Sequence, residues 1–199
     1  MLSGTRTKAC IGGVAALLGA TPAPALAQLE LVFDAGVGMS TAGDFVGTPS
    51  GPALGLALHL ADWSSARAGL EVGYGRHRGE GIESATTQVE FLALARYVVP
   101  AGPVELSVGG KVGVARRSLI IVEEPATSEG FIVGPSAALR LPIGPLHVQL
   151  TAEARYETYE ELWMHGQFEY GTDENGLRMV YRAGLAIPLT APGSGGERR

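Results

Sequence analysis

The sequence predicts an all-β chain, folded as an eight-stranded antiparallel up-and-down transmembrane β-barrel. Three observations predict it. Stretches of about ten residues alternate apolar and polar side chains, the period at which a strand sends successive residues to opposite faces. The connections between these stretches alternate short and long, as they do when antiparallel neighbours keep all tight turns at one end. The polar faces carry many glycines and a balanced set of acids and bases, which suits a narrow interior rather than a solvated surface.

The clearest stretch is Leu146–Tyr156. Leu146, Val148, Leu150, Ala152, Ala154 and Tyr156 share one parity, and His147, Gln149, Thr151, Glu153 and Arg155 the other. Seven more stretches follow the same rule: residues 29–38, 52–61, 66–75, 86–99, 104–115, 131–143 and 177–189. In the fourth, Leu92 and Leu94 break the alternation; in the sixth, Pro135 and Pro142 interrupt it. Residues 62–65, 100–103 and 144–145 read as tight turns, and residues 39–51, 76–85, 116–130 and 157–176 as long loops.

Ahead of the first strand, residues 1–27 read as a signal peptide. Arg6 and Lys8 form a positive start, Ala9–Ala20 an apolar run, and Ala25-Leu26-Ala27 a small-residue cleavage site. Cleavage there removes Cys10, the chain's one cysteine, so no disulfide holds the barrel. Removing Arg6 and Lys8 takes the formal charge from −5 to −5 − 2 = −7, which argues against nucleic acid as a partner. Residues 28–189 then form the barrel and residues 190–199 a flexible periplasmic tail. No later run reaches the roughly 18 apolar residues that a spanning helix needs, but barrel strands need only about 9–11 alternating ones.

A soluble ligand-binding barrel would turn its apolar face inward, and three features choose the opposite. Gly36, Gly38, Gly55, Gly69, Gly73, Gly109, Gly113, Gly134 and Gly184 lie on the polar faces, where a narrow lumen needs small residues between large ones. The same faces set Glu30, Asp34, Glu71, Glu90, Glu105 and Glu153 against Arg67, Arg96, Lys111, Arg140, Arg155 and Arg182, a predicted lumen ion-pair network. The outward aromatics Trp63, Tyr74, Phe91, Tyr97, Phe131, Tyr156 and Tyr181 sit toward strand ends, as an aromatic girdle does.

On these strands, loops and faces the chain resembles the small eight-stranded outer-membrane proteins, the OmpA-like and OmpX-like barrel families of the Gram-negative envelope. The resemblance implies an outer-membrane location, lipids and lipopolysaccharide as surroundings, the barrel-assembly machinery as a partner, and a monomer. Such barrels usually end on an aromatic residue; here the last strand ends Leu185-Ala186-Ile187-Pro188-Leu189.

The expected role is structural or surface-binding, around a packed lumen. A narrow pore or passage for small or hydrophobic molecules is the first alternative, a lipid-modifying enzyme the second and a soluble periplasmic ligand-binding barrel the third. An enzyme needs a nucleophile beside a base. His77 and His165 have only Ser84 and Ser118 to offer in the loops, while His59 and His147 join the lumen, so no catalytic residue is assigned. No spacing fits a metal or a cofactor. The last long loop, with Tyr159, Trp163, His165, Phe168 and Tyr170 among acids, is the candidate extracellular binding loop; its plainer reading is a solvated hairpin that extends the barrel wall, and Leu119–Val122 offers a second strand extension past the membrane.

Overall fold

Hairpins of alternating strands close on themselves when the last strand finds the first, and this chain does so. The computed structural model describes residues 28–43, 50–63, 65–78, 85–121, 124–163, 169–170 and 174–189. They form β1 (Gln28–Gly43), β2 (Gly51–Trp63), β3 (Ala66–Arg78), β4 (Ala85–Ala101), β5 (Val104–Ile121), β6 (Glu124–Ile143), β7 (Leu146–Trp163), β8 (Glu169–Tyr170) and β9 (Glu174–Pro188). The two-residue β8 pairs only with the far end of β7. The eight long strands pair antiparallel with their sequence neighbours, β7 pairs with β9, and β9 with β1 completes the ring. The assigned signal peptide and tail lie outside the described residues.

Two turns show how the sequence drives the hairpins. Gly102 and Gly144 take φ of 66° and 62°, each followed by proline. A positive φ at the first turn position suits the twist of a two-residue hairpin, and glycine adopts it without a Cβ clash.

The stagger of the ring follows from the register. From Gln28, partners run Ala61, Arg67, Arg96, Gly109, Ser136, Glu153 and Val180, and return to β1 at Gly38. The offset is 38 − 28 = 10 residues. With a rise of about 3.3 Å and a strand spacing of about 4.8 Å, that offset over eight strands tilts them by about 40°.

Such a barrel is narrow, and its backbone walls come close wherever glycine faces in. A Cβ at Gly36 would fall on the carbonyl oxygen of Tyr181, and one at Gly134 on that of Ala154. Beside Gly134, Pro135 lacks the N–H that a ladder uses, and the β6–β7 register passes from Val133↔Tyr156 to Ser136↔Glu153 across it.

The molecule is inside out by the standard of a soluble protein. Leu70, Phe91 and Leu54 are 56%, 58% and 49% exposed on the outer wall, while Arg140, Glu153 and Lys111 are 1%, 2% and 4% exposed. On β5 the outward face is free of charge from Val104 to Val114, about 25 Å along the barrel axis at this tilt, a bilayer's apolar depth for such barrels. At the end opposite the tight turns the outward row becomes polar: Thr41, Arg76, Thr87, Arg116, Glu129, Thr158 and Asn175.

The strands run past this boundary, and in both of the later long connections the reading as a strand extension is the one that holds. β5 and β6 continue in register to Ile121↔Glu124, so residues 116–121 and 124–130 are paired strand. β7 continues to Trp163 and β9 begins at Glu174, so much of 157–176 is barrel wall. From the boundary on, the described outward residues Arg116, Ser118, Thr127, Glu129 and Thr158 are polar, and the contrast that marks a strand in sequence weakens while the strand goes on.

The close approach at Gly36 gives the first prediction. Gly36→Val should cost about 3 kcal/mol or more of overpacking and leave little strand signal after refolding into detergent micelles. Gly110→Ala, whose new Cβ would stand 3.4 Å from the Gly134 carbonyl oxygen, should refold like the parent. Circular dichroism after refolding checks both.

Candidate functional site

The lumen is the chemically dense part of the molecule, and it is built in three tiers. At the tight-turn end, Glu30 of β1 accepts from Arg140 Nη1 at 2.6 Å. Arg140 also donates from Nε to Gln149 Oε1 at 2.6 Å and from Nη2 to His59 Nδ1 at 2.9 Å. Arginine has only protons to give, so His59 presents an unprotonated Nδ1. Arg67 pairs with Glu105, whose side chain is 31% exposed at the rim.

The middle tier is a ring of four charges. Lys111 Nζ lies 2.5 Å from Glu71 Oε2 and 2.5 Å from Glu153 Oε1. Arg182 Nη2 closes the ring at 2.6 Å from Glu71 Oε1 and 2.7 Å from Glu153 Oε1. Outside it, Arg182 Nη1 reaches Asp34 at 3.0 Å, and Arg155 joins Glu153 to Glu90, at 2.5 and 2.7 Å.

The outer tier begins at Gln88, which donates to Glu90 at 2.8 Å and accepts from Arg178 at 3.1 Å. Arg178 lies 3.6 Å from Glu157, which accepts from the Tyr159 hydroxyl at 3.1 Å. The Arg117 guanidinium lies 3.8 Å from the centroid of the Tyr159 ring. Leu92, Ala115, Ile132 and Tyr159 pack into one apolar plug, and Val32, Ala57 and Ala186 into a second. A void of about 10 Å³ between Gly38, Gly75, Glu90, Arg155 and Arg178 has room for one water.

The structure brings eleven of the twelve predicted network residues into ion pairs: Glu30, Asp34, Arg67, Glu71, Glu90, Glu105, Lys111, Arg140, Glu153, Arg155 and Arg182. Arg96 differs: buried to 3% exposure, it donates from Nε to Ser136 Oγ at 3.1 Å and meets no carboxylate at ion-pair distance among the described residues. Its cross-strand partners are Arg67 and Gly109, which places a base and a glycine beside it.

Sequence reasoning places Gln88 and Arg178 of the outer tier on polar faces but misses Arg117, Glu157 and Tyr159. Tyr159, expected in a surface loop, is 2% exposed inside the barrel, a correction that follows from the longer β7. Glu157 and Arg117 keep the parity of the lumen residues before them, the signal that locates them once the strands are extended. Leu92 and Leu94 face the lumen, where they contribute apolar filling.

Of the other candidate loop residues, Trp163 ends β7 opposite Thr127 and Tyr170 lies in β8; their side chains, and all of His165 and Phe168, lie outside the described residues. Among the expected girdle, Tyr74, Phe131 and Tyr156 sit one outward position below the polar boundary. Phe91 and Tyr181 lie deeper, and Tyr97 stands toward the tight-turn end. Trp63 ends β2, with its side chain outside the described set. Ser118 lies on the outward parity of β5, and Ser84 is outside the described residues. Among the described residues no three of His, Cys, Asp or Glu group to hold a metal.

No protein-family model and no curated protein matches the chain. Among solved structures, Neisserial surface protein A superposes with a TM-score of 0.60 at 17% identity, over 81% of this chain and 97% of that one. A major outer membrane protein from Thermus thermophilus follows at 0.49 and 14%, over 81% and 98%. The outer membrane enzyme PagL stands at 0.44 and 15%, over 80% and 99%. The likeness to Neisserial surface protein A is one of fold: this chain is an eight-stranded barrel of the outer-membrane type.

The middle tier yields a stability prediction. Lys111→Met leaves Glu71 and Glu153 sharing fewer cations in a buried setting, at a cost of about 3–5 kcal/mol. Arg67→Met leaves Glu30 with Arg140 and Glu105 with solvent, at a cost of about 1 kcal/mol or less. Urea unfolding in detergent micelles measures both, and equal costs would contradict the tiered description.

Proposed function

We propose that the protein is an integral outer-membrane barrel of structural or surface-binding role whose lumen does not conduct, with residues 1–27 as its export signal. One observation carries the reading. The ring of Glu71, Lys111, Glu153 and Arg182 spans the lumen from β3 and β5 to β7 and β9, at 2.5–2.7 Å contacts. An ion crossing it would have to break buried pairs, each costly to leave half-made. Eight strands enclose little more than their own side chains, and the apolar plugs fill what the charges leave.

The outer wall supports the membrane assignment, because an uncharged apolar band of this depth belongs against lipid. The same fold carries different activities elsewhere, so fold does not select among them. A lipid-modifying enzyme would need a nucleophile and base in contact. The described histidine with a defined partner, His59, accepts its hydrogen bond from Arg140 rather than from a hydroxyl. The protein's contacts with partners then fall to the surface beyond the bilayer, and an extracellular ligand would meet the long connections.

Two measurements test this. Cell fractionation should place the mature protein in the outer membrane, released only by detergent; recovery in the soluble periplasm would overturn the assignment. Purified protein in a planar bilayer should give no steady unitary current, and steady currents would overturn the sealed lumen.

A further inference from the structure

The boundary where the outer wall turns polar is uneven in charge. β3 places Arg76 there and β5 places Arg116, both exposed on the outward face, with Thr87 of β4 between them. Around the rest of the described boundary stand Thr41, Thr158, Asn175 and the acid Glu129. Arg76 is paired in register with Thr87, and Thr87 with Ser118; Arg116 is the next outward residue down β5. At a strand spacing of about 4.8 Å and a rise of about 3.3 Å per residue, the two arginine α-carbons lie about 12 Å apart. Two extended side chains close that distance around one tetrahedral anion.

Neither arginine has an ion-pair partner among the described residues, although Glu129 is the register partner of Arg116. Their position fits them to a ligand from the membrane. Just below them the wall is apolar: Tyr74 at 39% exposure, Val89 at 39%, Phe91 at 58% and Val114 at 47%. A cation at an apolar–polar boundary extends toward the lipid headgroups while its stem stays on apolar surface. Guanidinium supplies paired donors that match phosphate oxygens.

We infer that the β3–β5 face binds a phosphate-bearing lipid of the leaflet at the long-connection end. Arg76 and Arg116 hold the phosphate, and the acyl chains lie along Tyr74, Phe91 and Val114. The site rests on the membrane reading above. Charge complementarity and position at the boundary select a lipid phosphate over a free anion, since the apolar half of the site has no use for inorganic phosphate. The β6 sector, with Glu129 at the same height, repels such a headgroup.

The test uses the protein refolded in detergent micelles, with short-chain phosphatidic acid, the matching diacylglycerol and inorganic phosphate as probes. Retention of phosphatidic acid should exceed that of diacylglycerol by about tenfold, in line with charge-assisted hydrogen bonds that the neutral lipid cannot make. Arg76→Gln/Arg116→Gln should bring the two lipids close to parity, and Glu129→Gln should keep or raise the preference. Inorganic phosphate at matched concentration should not compete. Equal retention by the parent protein, a preference that survives in the double variant, or effective competition by inorganic phosphate would each overturn the site. Flotation with phosphatidylcholine vesicles runs alongside. Failure to float would count against the membrane reading itself, whereas flotation without lipid preference would count against this site alone.

Discussion

Glu153 is touched by three cations, at 2.5 Å from Lys111, 2.5 Å from Arg155 and 2.7 Å from Arg182. A carboxylate at 2% exposure cannot stay ionised without such company, because the lumen offers little water to solvate it. Without it the cations would carry uncompensated charge in a buried setting, which is costly to the fold. Strands from four parts of the chain, β3, β5, β7 and β9, must therefore arrive at one height with Glu71, Lys111, Glu153 and Arg182 in phase. The closed ring of strands is the arrangement that brings them there.

That demand explains the composition of the inner walls. The large charged side chains come from particular strands, and the wall facing them is stripped to glycine where space runs out. A Cβ at Gly55 would collide with the Asp34 carboxylate and with Arg182, and one at Gly73 would stand 2.6 Å from Glu90. The glycines make room for the ion pairs, and the ion pairs fill the room that glycine leaves. The lipid outside imposes the other half of the design. All backbone polar groups at that depth must be satisfied within the sheet, so the ladder has no free edge between β1 and β9.

Much of this is legible in sequence because the outer and inner faces contrast so sharply within the bilayer. In Leu146–Tyr156 the period of two gives both the strand and its inside, and the parity of Glu153 and Arg155 places them in the lumen. The legibility ends where the contrast does. From Arg116, Glu129 and Thr158 onward the outward face is polar, so Arg117, Glu157 and Tyr159 stand among other polar residues and read as loop. Leu92 and Leu94 mislead in the opposite sense, since a lumen that is mostly ionic still needs apolar filler, and no periodicity distinguishes filler from a broken strand. Arg96 is correctly placed on the inner face, but parity reports direction and not partners. Its neighbour across the ladder is another arginine, which only the register reveals.

The central claim is the direction in which each face of the wall points, and a chain whose one cysteine, Cys10, precedes β1 suits a direct measurement once that residue is replaced by serine. Single cysteines along β7 from 148 to 156, each carrying a small fluorophore, can be exposed in lipid vesicles to a membrane-soluble quencher. Positions 148, 150, 152, 154 and 156 should be strongly quenched, while 149, 151, 153 and 155 should be protected or should fail to label in the folded barrel. Quenching in the reverse phase, or with no period of two, would contradict the account.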